Sequence, residues 1–204
     1  AGATGPYFVQ ALGEGVEVDS PLRGAHQHRN LALAIASSVE LANMHGLPVT
    51  PASIAEGIRQ TKWPGRLERI ERDGVRWILD VAHNPAGAWA LRAGLSSMLE
   101  EEKARALIFS CLRDKPVAEM AQILFPLFEL VIVAPLHTAR AAAVDDLLAA
   151  AESTGTGAKV AESVSAALQL AKESAQGGAA VISGSAYLVG EARTLLLSGR
   201  GEQE

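Results

Sequence analysis

The sequence has one cysteine, few aromatic residues and no long apolar run. Because Cys111 is the only cysteine among 204 residues, no disulfide can form within the chain, which favours a reducing compartment. No stretch approaches the roughly 20 apolar residues of a membrane-spanning helix, and the start of the chain lacks the basic and apolar segments of a secretory signal. We therefore expect a cytoplasmic protein with no membrane partner. The first residue is alanine rather than methionine, so we also expect that the chain begins inside a longer protein.

Positive charge is scarce as well. The formal net charge is -5, and lysine and arginine form no run. A protein that holds nucleic acid mainly by neutralising phosphates needs a basic surface, so the sequence disfavours a nucleic-acid partner. Hydrophobic residues make up 49% of the chain and charged residues 20%, a composition typical of globular proteins, and a small anionic substrate would need only a few local cations.

Two glycine-rich motifs are missing. The pattern G-x-x-x-x-G-K-[ST], whose backbone cradles nucleotide phosphates, does not occur, and there is no Gly-Lys pair at all. The pattern G-x-G-x-x-G, which opens dinucleotide-binding helices, is absent too. A dinucleotide-dependent oxidoreductase therefore ranks low among the possible functions.

The first part of the sequence predicts a hairpin followed by two helices. Two short apolar runs within residues 7–18 flank a glycine-containing break, as in a hairpin. Helix formers fill residues 26–44. A second helix is predicted after Thr50, which can cap it, with Pro51 at the favoured first position.

The remainder alternates between apolar runs and helical segments. The runs are RWILDV, ARALIFSCL, LVIVAPL and AAVISGS. Helical patterns are predicted at about 85–101, 115–127, 143–153, 163–175 and 187–197. Strands separated by such helices predict an α/β fold, a Rossmann-like, mostly parallel sheet flanked by helices. Asp73 and Gly74 join two alternating runs, which predicts an antiparallel hairpin at the start of this sheet.

We place a domain boundary at the Pro-Gly pair of WPGRLERI. Residues 1–62 are too short and too helical for a complete open-sheet domain, so we expect the end of a domain whose beginning is absent. Residues 63–66 are predicted to be a hinge, residues 67–198 the α/β domain, and residues 199–204 a tail.

The string DVAHNP falls where a parallel strand is predicted to end. Ligands of open parallel sheets bind beyond the carboxyl ends of the strands, where helix N-termini offer free amide donors. Asp80 ends a strand and His83 projects from the turn, so we favour a functional role for both. Asn84 is predicted mainly as a helix cap, with Pro85 at the first helical position.

The next strand end, CLRDKP, repeats this arrangement. Asp114 is predicted to cap the following helix, and Lys115 to be a solvated cation beside it. Arg140, past another strand end, is either an ordinary loop arginine or a ligand for a substrate carboxylate. Cys111 is predicted to be a packed thiol rather than a nucleophile.

The spacing of several motifs resembles one enzyme family. WPGRLERI, DGVRWILDVAHNPAGAWAL, CLRDKP, VIVAPL and ISGSAYLVGE are similar to the C-terminal half of folylpolyglutamate synthase/dihydrofolate synthase, a member of the Mur ligase superfamily. LRGAHQHRNLALAIAS likewise resembles the last part of that family's central ATPase domain. The resemblance covers nearly the whole chain. It implies the Mur ligase C-terminal domain for residues 67–198 and the end of the central ATP-binding domain for residues 1–62.

The resemblance implies roles for five residues. Asn30 resembles the asparagine near the adenine, although a polar residue early in a helix is an equally open interpretation. Arg66 resembles the hinge arginine that reaches the ATP phosphates, and a guanidinium fork suits phosphate oxygens. Asp80 resembles the aspartate that accepts from the ribose hydroxyls. His83 resembles the catalytic histidine near the incoming glutamate, and Ser185 a serine on the glutamate side of the site.

The implied reaction is an ATP-dependent ligation. ATP phosphorylates a carboxylate on the folate side, and the amine of glutamate attacks the acyl phosphate. The implied partners are ATP, L-glutamate, dihydropteroate or folate, and the missing N-terminal domain, which is expected to hold Mg²⁺; the complete protein is expected to be a monomer. Because no phosphate-cradling loop occurs, the isolated chain is predicted to be inactive.

Two alternatives stay open at this point. One is another amino-acid ligase of the superfamily, acting on a peptidoglycan precursor. The other is a truncated binding module without catalytic activity.

Overall fold

The computed structural model describes residues 5–96, 99 and 105–198. The chain divides into two compact units, Ala1–Trp63 and Pro64–Glu204. The predicted tail at 199–204 lies outside the described residues. Among the described residues, no helix combines the length and apolarity needed to cross a membrane.

The first unit is a two-stranded hairpin with two helices. It contains β1 (Tyr7–Ala11), β2 (Glu14–Val18), α1 (His26–His45) and α2 (Pro51–Arg59). The hairpin is antiparallel, as predicted. Helix α2 begins as expected, because Thr50 and Ser53 form a reciprocal capping box and Pro51 occupies the first turn. A separate small core fills this unit; its buried members are Ala11, Val16, Val18, Leu31, Ile35, Ile54 and Ile58.

The second unit is a six-stranded sheet covered by helices on both faces. Its elements are β3 (Glu68–Arg72), β4 (Val75–Leu79), α3 (Pro85–Ser96), β5 (Arg105–Phe109), α4 (Val117–Leu124), β6 (Leu130–Val133), α5 (Val144–Ser153), β7 (Gly157–Val160), α6 (Val164–Ser174), β8 (Ala179–Ser183) and α7 (Ala186–Ser198). The strand order is β3-β4-β8-β5-β6-β7. Among the described strands of this sheet, only β3 and β4 pair in the antiparallel sense, and the other four pairs are parallel. The predicted α/β fold with a mostly parallel, helix-flanked sheet is confirmed.

Successive side chains of each strand point to opposite faces of the sheet, so the core of this unit has two parts. Helices α3, α4 and α5 pack on one face, against side chains that include Ile78 and Leu107. Helices α6 and α7 pack on the other face, against Trp77, Leu79 and Ile108. The central strand β8 is buried along its whole length, as expected for a parallel strand covered on both sides.

The hairpin that opens the sheet is confirmed at the predicted turn. Asp73 and Gly74 both have positive φ, 55° and 74°, which is the geometry of a tight two-residue hairpin turn.

The helix predicted at 115–127 is shorter than expected: α4 stops at Leu124, and Phe125–Leu127 form a 3-10 turn that contains Pro126. The predicted helix at 85–101 is seen as Pro85–Ser96; residues 97, 98, 100 and 101 lie outside the described residues.

Candidate functional site

Three strand ends meet at the carboxyl edge of the sheet. The amide of Gly184, just after β8, donates to the carbonyl of Ala82 at 3.0 Å, and the Ser183 hydroxyl approaches the same carbonyl at 3.4 Å. Gly184 also touches the segment just after β5, because a Cβ built on it would lie 2.4 Å from the carbonyl oxygen of Ser110. The loop after β4 is therefore held against the loop after β8, with β5 beside them.

Asp80 fastens two segments of backbone. Its side chain is buried, with 4% exposed. Oδ1 accepts from the amide of Ala82 at 2.9 Å, and Oδ2 accepts from the amide of Leu67 at 3.0 Å. The carboxylate joins the loop after β4 to the turn that precedes β3.

The turn that carries Arg66 has two residues in the left-handed region. Gly65 has φ 72° and Leu67 has φ 48°. The Gly65 carbonyl accepts from the amide of Val81 at 2.9 Å, and the Leu67 side chain is buried. Arg66 is half-buried, and its guanidinium makes no hydrogen bond or ion pair within the part of the chain that the structure describes. The turn is fixed to the second unit while its arginine remains available.

His83 projects from the loop with one ring nitrogen already occupied. Nδ1 lies 2.8 Å from the carbonyl oxygen of Val81, which can only accept, so Nδ1 carries the proton. In the neutral ring Nε2 is then unprotonated and able to accept a proton. Asn84 caps α3 as predicted: its Oδ1 accepts from the amide of Gly87 at 2.8 Å, and Pro85 opens the helix.

Ser185 lies at the start of α7. It is buried, with 3% exposed, and its Oγ accepts from the amide of Tyr187 at 3.2 Å. Its carbonyl accepts the first helical bond, from Val189 at 3.0 Å. The hydroxyl proton of Ser185 and the first amides of α7 are donors of the kind that bind carboxylates.

Asn30 belongs to the first unit. It is exposed on α1, and its side-chain amide donates to Oε1 of the buried Gln27 at 2.9 Å. Gln27 in turn pairs through Nε2 with Nε2 of His26 at 2.9 Å. The structure thus brings Asp80, His83 and Ser185 to one sheet edge and ties the turn of Arg66 to Asp80, whereas Asn30 lies on a different unit.

The prediction that Asp114 caps α4 is wrong. The residue at the cap position is Pro116, and no side chain caps that helix. Asp114 instead pairs with Lys115 at 2.9 Å and Arg140 at 3.4 Å, so neither cation stands alone. The hydrogen bond from Lys115, helped by the charge of Arg140, lowers the pKa of Asp114 below its ordinary value.

The sequence pattern did not single out two buried serines at this edge. Ser110 directly follows β5 and Ser183 ends β8, and they are 2% and 0% exposed. In both strings, FSC and ISGS, a serine comes directly after an apolar run, and that signal could have identified them. Cys111, beside Ser110, is buried as predicted, and desolvation raises the pKa of its thiol to about 11.

Residues 65–186 match the family described as "Mur ligase, glutamate ligase domain". That match covers more than half of the chain and includes every strand end described above. The chain belongs to the Mur ligase family, through its glutamate ligase domain.

Within that family, several similar proteins are named folylpolyglutamate synthase, alone or as part of a bifunctional enzyme. The folylpolyglutamate synthase of Lacticaseibacillus casei is 32% identical over 184 residues, which cover 90% of this chain and 41% of that protein. The Mycobacterium tuberculosis folylpolyglutamate synthase structure complexed with ADP and AMPPCP has a TM-score of 0.79 and 32% identity, covering 94% of this chain and 45% of that one. An Escherichia coli FolC structure with DHPP and ADP has a TM-score of 0.66 and 28% identity, covering 82% and 39%. The resemblance to folylpolyglutamate synthase is confirmed, and the chain spans less than half the length of these relatives.

Proposed function

We propose that this chain is the C-terminal part of an ATP-dependent ligase that joins glutamate to dihydropteroate, to folate polyglutamate, or to both. The observation that carries the proposal is the carboxyl edge of the sheet, where Asp80 fastens the Arg66 turn to the loop of His83. The relatives support it, because the M. tuberculosis synthase was solved with ADP and AMPPCP and the E. coli protein with DHPP and ADP.

On this proposal Arg66 acts on the phosphates of ATP. Its guanidinium is permanently charged and pairs with no side chain among the described residues, whereas its backbone is held on both sides. A guanidinium held in place, with its N–H donors available, stabilises negative charge on the oxygens of the phosphoryl group during transfer without having to reorganise. Asp80 would accept from the ribose hydroxyls, and Asn30 would lie near the adenine.

His83 and Ser185 would serve the glutamate. ATP transfers its γ-phosphoryl group to a substrate carboxylate oxygen, giving an acyl phosphate and ADP. The glutamate amine then attacks the acyl carbon, the C–O bond to phosphate breaks, and inorganic phosphate leaves. The amine must lose a proton in this step, and Nε2 of His83 is the acceptor that the loop presents. Ser185 and the first amides of α7 would bind a glutamate carboxylate.

The rest of the active site is expected outside this chain. No group of three or more histidine, cysteine, aspartate or glutamate side chains that suits a metal ion occurs in the described part of the chain. On the resemblance to the family, Mg²⁺, the phosphate-cradling loop and the pterin pocket are proposed to lie in the preceding part of the complete protein. We assign residues 1–62 to the end of that central ATP-binding domain, residues 63–66 to a hinge and residues 67–198 to the glutamate ligase domain. The complete enzyme is proposed to act as a cytoplasmic monomer.

The decisive experiment changes Arg66 in the full-length enzyme. Arg66→Ala should lower kcat/KM for ATP by roughly 100-fold, because it removes a charged hydrogen-bonding contact with the phosphates. The matched control is Arg69→Ala, an exposed arginine three residues away on β3, with expected changes below about twofold. Unchanged ATP kinetics in Arg66→Ala with a normal melting temperature would contradict the proposal. Turnover with a muramoyl substrate and none with dihydropteroate or folate would assign the enzyme to peptidoglycan synthesis instead.

A further inference from the structure

The backbone on either side of Arg66 is held by two carboxylates. The amide before it, on Gly65, donates to Oε2 of Glu68 at 2.8 Å. The amide after it, on Leu67, donates to Oδ2 of Asp80 at 3.0 Å. Hydrogen bonds from amides to ionised carboxylates are roughly twice as strong as neutral ones, so the two bonds restrain rotation of the Arg66 peptide units.

Glu68 is itself held by an arginine of α7. Arg193 Nε lies 2.9 Å from Oε1 and 3.0 Å from Oε2 of Glu68, and the Arg193 and Glu68 side chains are partly buried, 34% and 21% exposed. The two residues are 125 positions apart in sequence. Arg193 therefore fixes the orientation of the carboxylate that receives the Gly65 amide.

Close packing gives the turn little room to move in other directions. A Cβ on Gly65 would lie 3.0 Å from Cγ1 of Val81 and 3.1 Å from Cγ1 of Val189, so the backbone here runs directly against two side chains. On the other side, the Leu67 side chain packs over Gly94 of α3. Val189 and Arg193 are one helical turn apart on α7, the helix that begins after Ser185.

We propose that Glu68 and Arg193 are positioning residues, which orient the Arg66 turn relative to α7 and so fix where the Arg66 guanidinium meets the phosphates. The inference rests on the proposed function of Arg66. It adds a structural connection between the two substrate sites. Helix α7, whose first residues would bind glutamate, also holds the turn of Arg66, which would bind the phosphates of ATP. Neither Glu68 nor Arg193 touches a substrate in this scheme.

The test uses the full-length ligase with Glu68→Gln and Arg193→Gln. Each should raise the dissociation constant of a non-hydrolysable ATP analogue, measured by calorimetry, and lower kcat/KM for ATP by about 10-fold or more, because small misplacements of a phosphate contact are costly. The KM for glutamate should change less than about twofold. Arg193→Lys, which keeps a cation beside Glu68, should restore part of the loss.

A double-mutant cycle separates positioning from a general structural role. If Glu68 acts through Arg66, then Glu68→Gln should have almost no further effect on analogue binding once Arg66 is alanine. The full 10-fold loss in that background would overturn the proposal. The matched control is Glu71→Gln, on the same strand, whose exposed carboxylate pairs with Arg76 at 3.2 Å and should leave binding unchanged.

Failure of this inference is distinguishable from failure of the proposed function. If Arg66→Ala weakens analogue binding while Glu68→Gln and Arg193→Gln bind as the unmodified enzyme does, only the positioning role is overturned. If Arg66→Ala leaves analogue binding unchanged, the proposed role of Arg66 is itself contradicted, and the positioning role falls with it. Should Glu68→Gln not fold, Arg193→Gln, at the more exposed side chain, tests the positioning role through the same cycle.

Discussion

Cys111 is the clearest case of a single residue whose chemistry is set by burial. The thiol lies just after β5 with no exposed surface, and desolvation raises its pKa to about 11, with a smaller contribution from Asp114. Only the thiolate reacts with alkylating agents, and at pH 7 on the order of one thiol in 10⁴ would be ionised. The residue sits beside the candidate site but takes no part in it.

We expect the native chain to resist iodoacetamide at pH 7 and to react fully in urea. Burial and the raised pKa both slow alkylation, and both are lost on unfolding. Mass spectrometry of the intact chain gives the readout, with unfolded protein as the positive control. As pH rises towards 11 the thiolate fraction grows, so any native labelling should increase in that direction. Equal labelling rates for native and unfolded chains at pH 7 would contradict the burial of this thiol.

At the scale of elements, the junction between β8 and α7 is tightly constrained by its glycine. Gly184 has φ 102°, a conformation that side chains rarely adopt, and a Cβ there would meet the Ser110 carbonyl oxygen at 2.4 Å and the Phe109 ring at 2.7 Å. Backbone atoms cannot give way as a flexible side chain can. This close approach keeps β8, β5 and the start of α7 in register at the site.

Gly184→Ala should lower the free energy of unfolding by roughly 2–5 kcal/mol, combining left-handed strain with overpacking. The matched control is Gly177→Ala, which has φ 72° but no heavy atom within 4 Å of the added Cβ, and should cost only about 1–2 kcal/mol. Urea unfolding followed by circular dichroism measures both. Equal losses in the two variants would show that the contact with Ser110 does not matter.

The elements that the sequence predicts well are those whose burial follows from local pattern. The apolar runs correspond to β4, β5, β6 and β8, and the Asp73–Gly74 turn is the tight turn expected. Strand β7 was not predicted, because its four residues are all exposed and it is held at the sheet edge by pairing with β6 rather than by an apolar pattern. The cap predicted at Asp114 is wrong because Pro116 occupies the position before α4.

Among the site residues, too, a local sequence pattern predicts some positions, whereas others depend on contacts between distant parts of the chain. Asp80 and His83 could be placed at a strand end from the local string alone. The bond from the Leu67 amide to Asp80 joins residues 13 positions apart, and the Glu68–Arg193 pair joins residues 125 positions apart. Contacts of that kind arise only when the sheet has assembled, so no local pattern predicts them.

At the scale of the molecule, the two units have separate cores and carry different candidate residues. The first unit encloses a small cluster around Ile35 and Ile54, and the second has one cluster on each face of its sheet. Arg66, Asp80, His83 and Ser185 all belong to the second unit. That unit therefore holds the parts proposed to oppose phosphate charge and to receive glutamate, but none of its described side chains forms a metal cluster.

We expect this chain alone to show no ATP- and glutamate-dependent amide formation. Acyl phosphate synthesis needs a phosphate-cradling loop and a metal ion, and the sequence contains neither G-x-x-x-x-G-K-[ST] nor a Gly-Lys pair. The measurement incubates the purified chain with ATP, Mg²⁺, glutamate and dihydropteroate or folate, and follows ADP and the glutamylated product by mass spectrometry. The full-length enzyme, which should turn over under the same conditions, is the positive control, and circular dichroism confirms that the shorter chain is folded. Product formation by the folded chain would mean that these residues form a complete active site by themselves. The proposal that Arg66 acts together with a phosphate-cradling loop outside this chain would then be wrong.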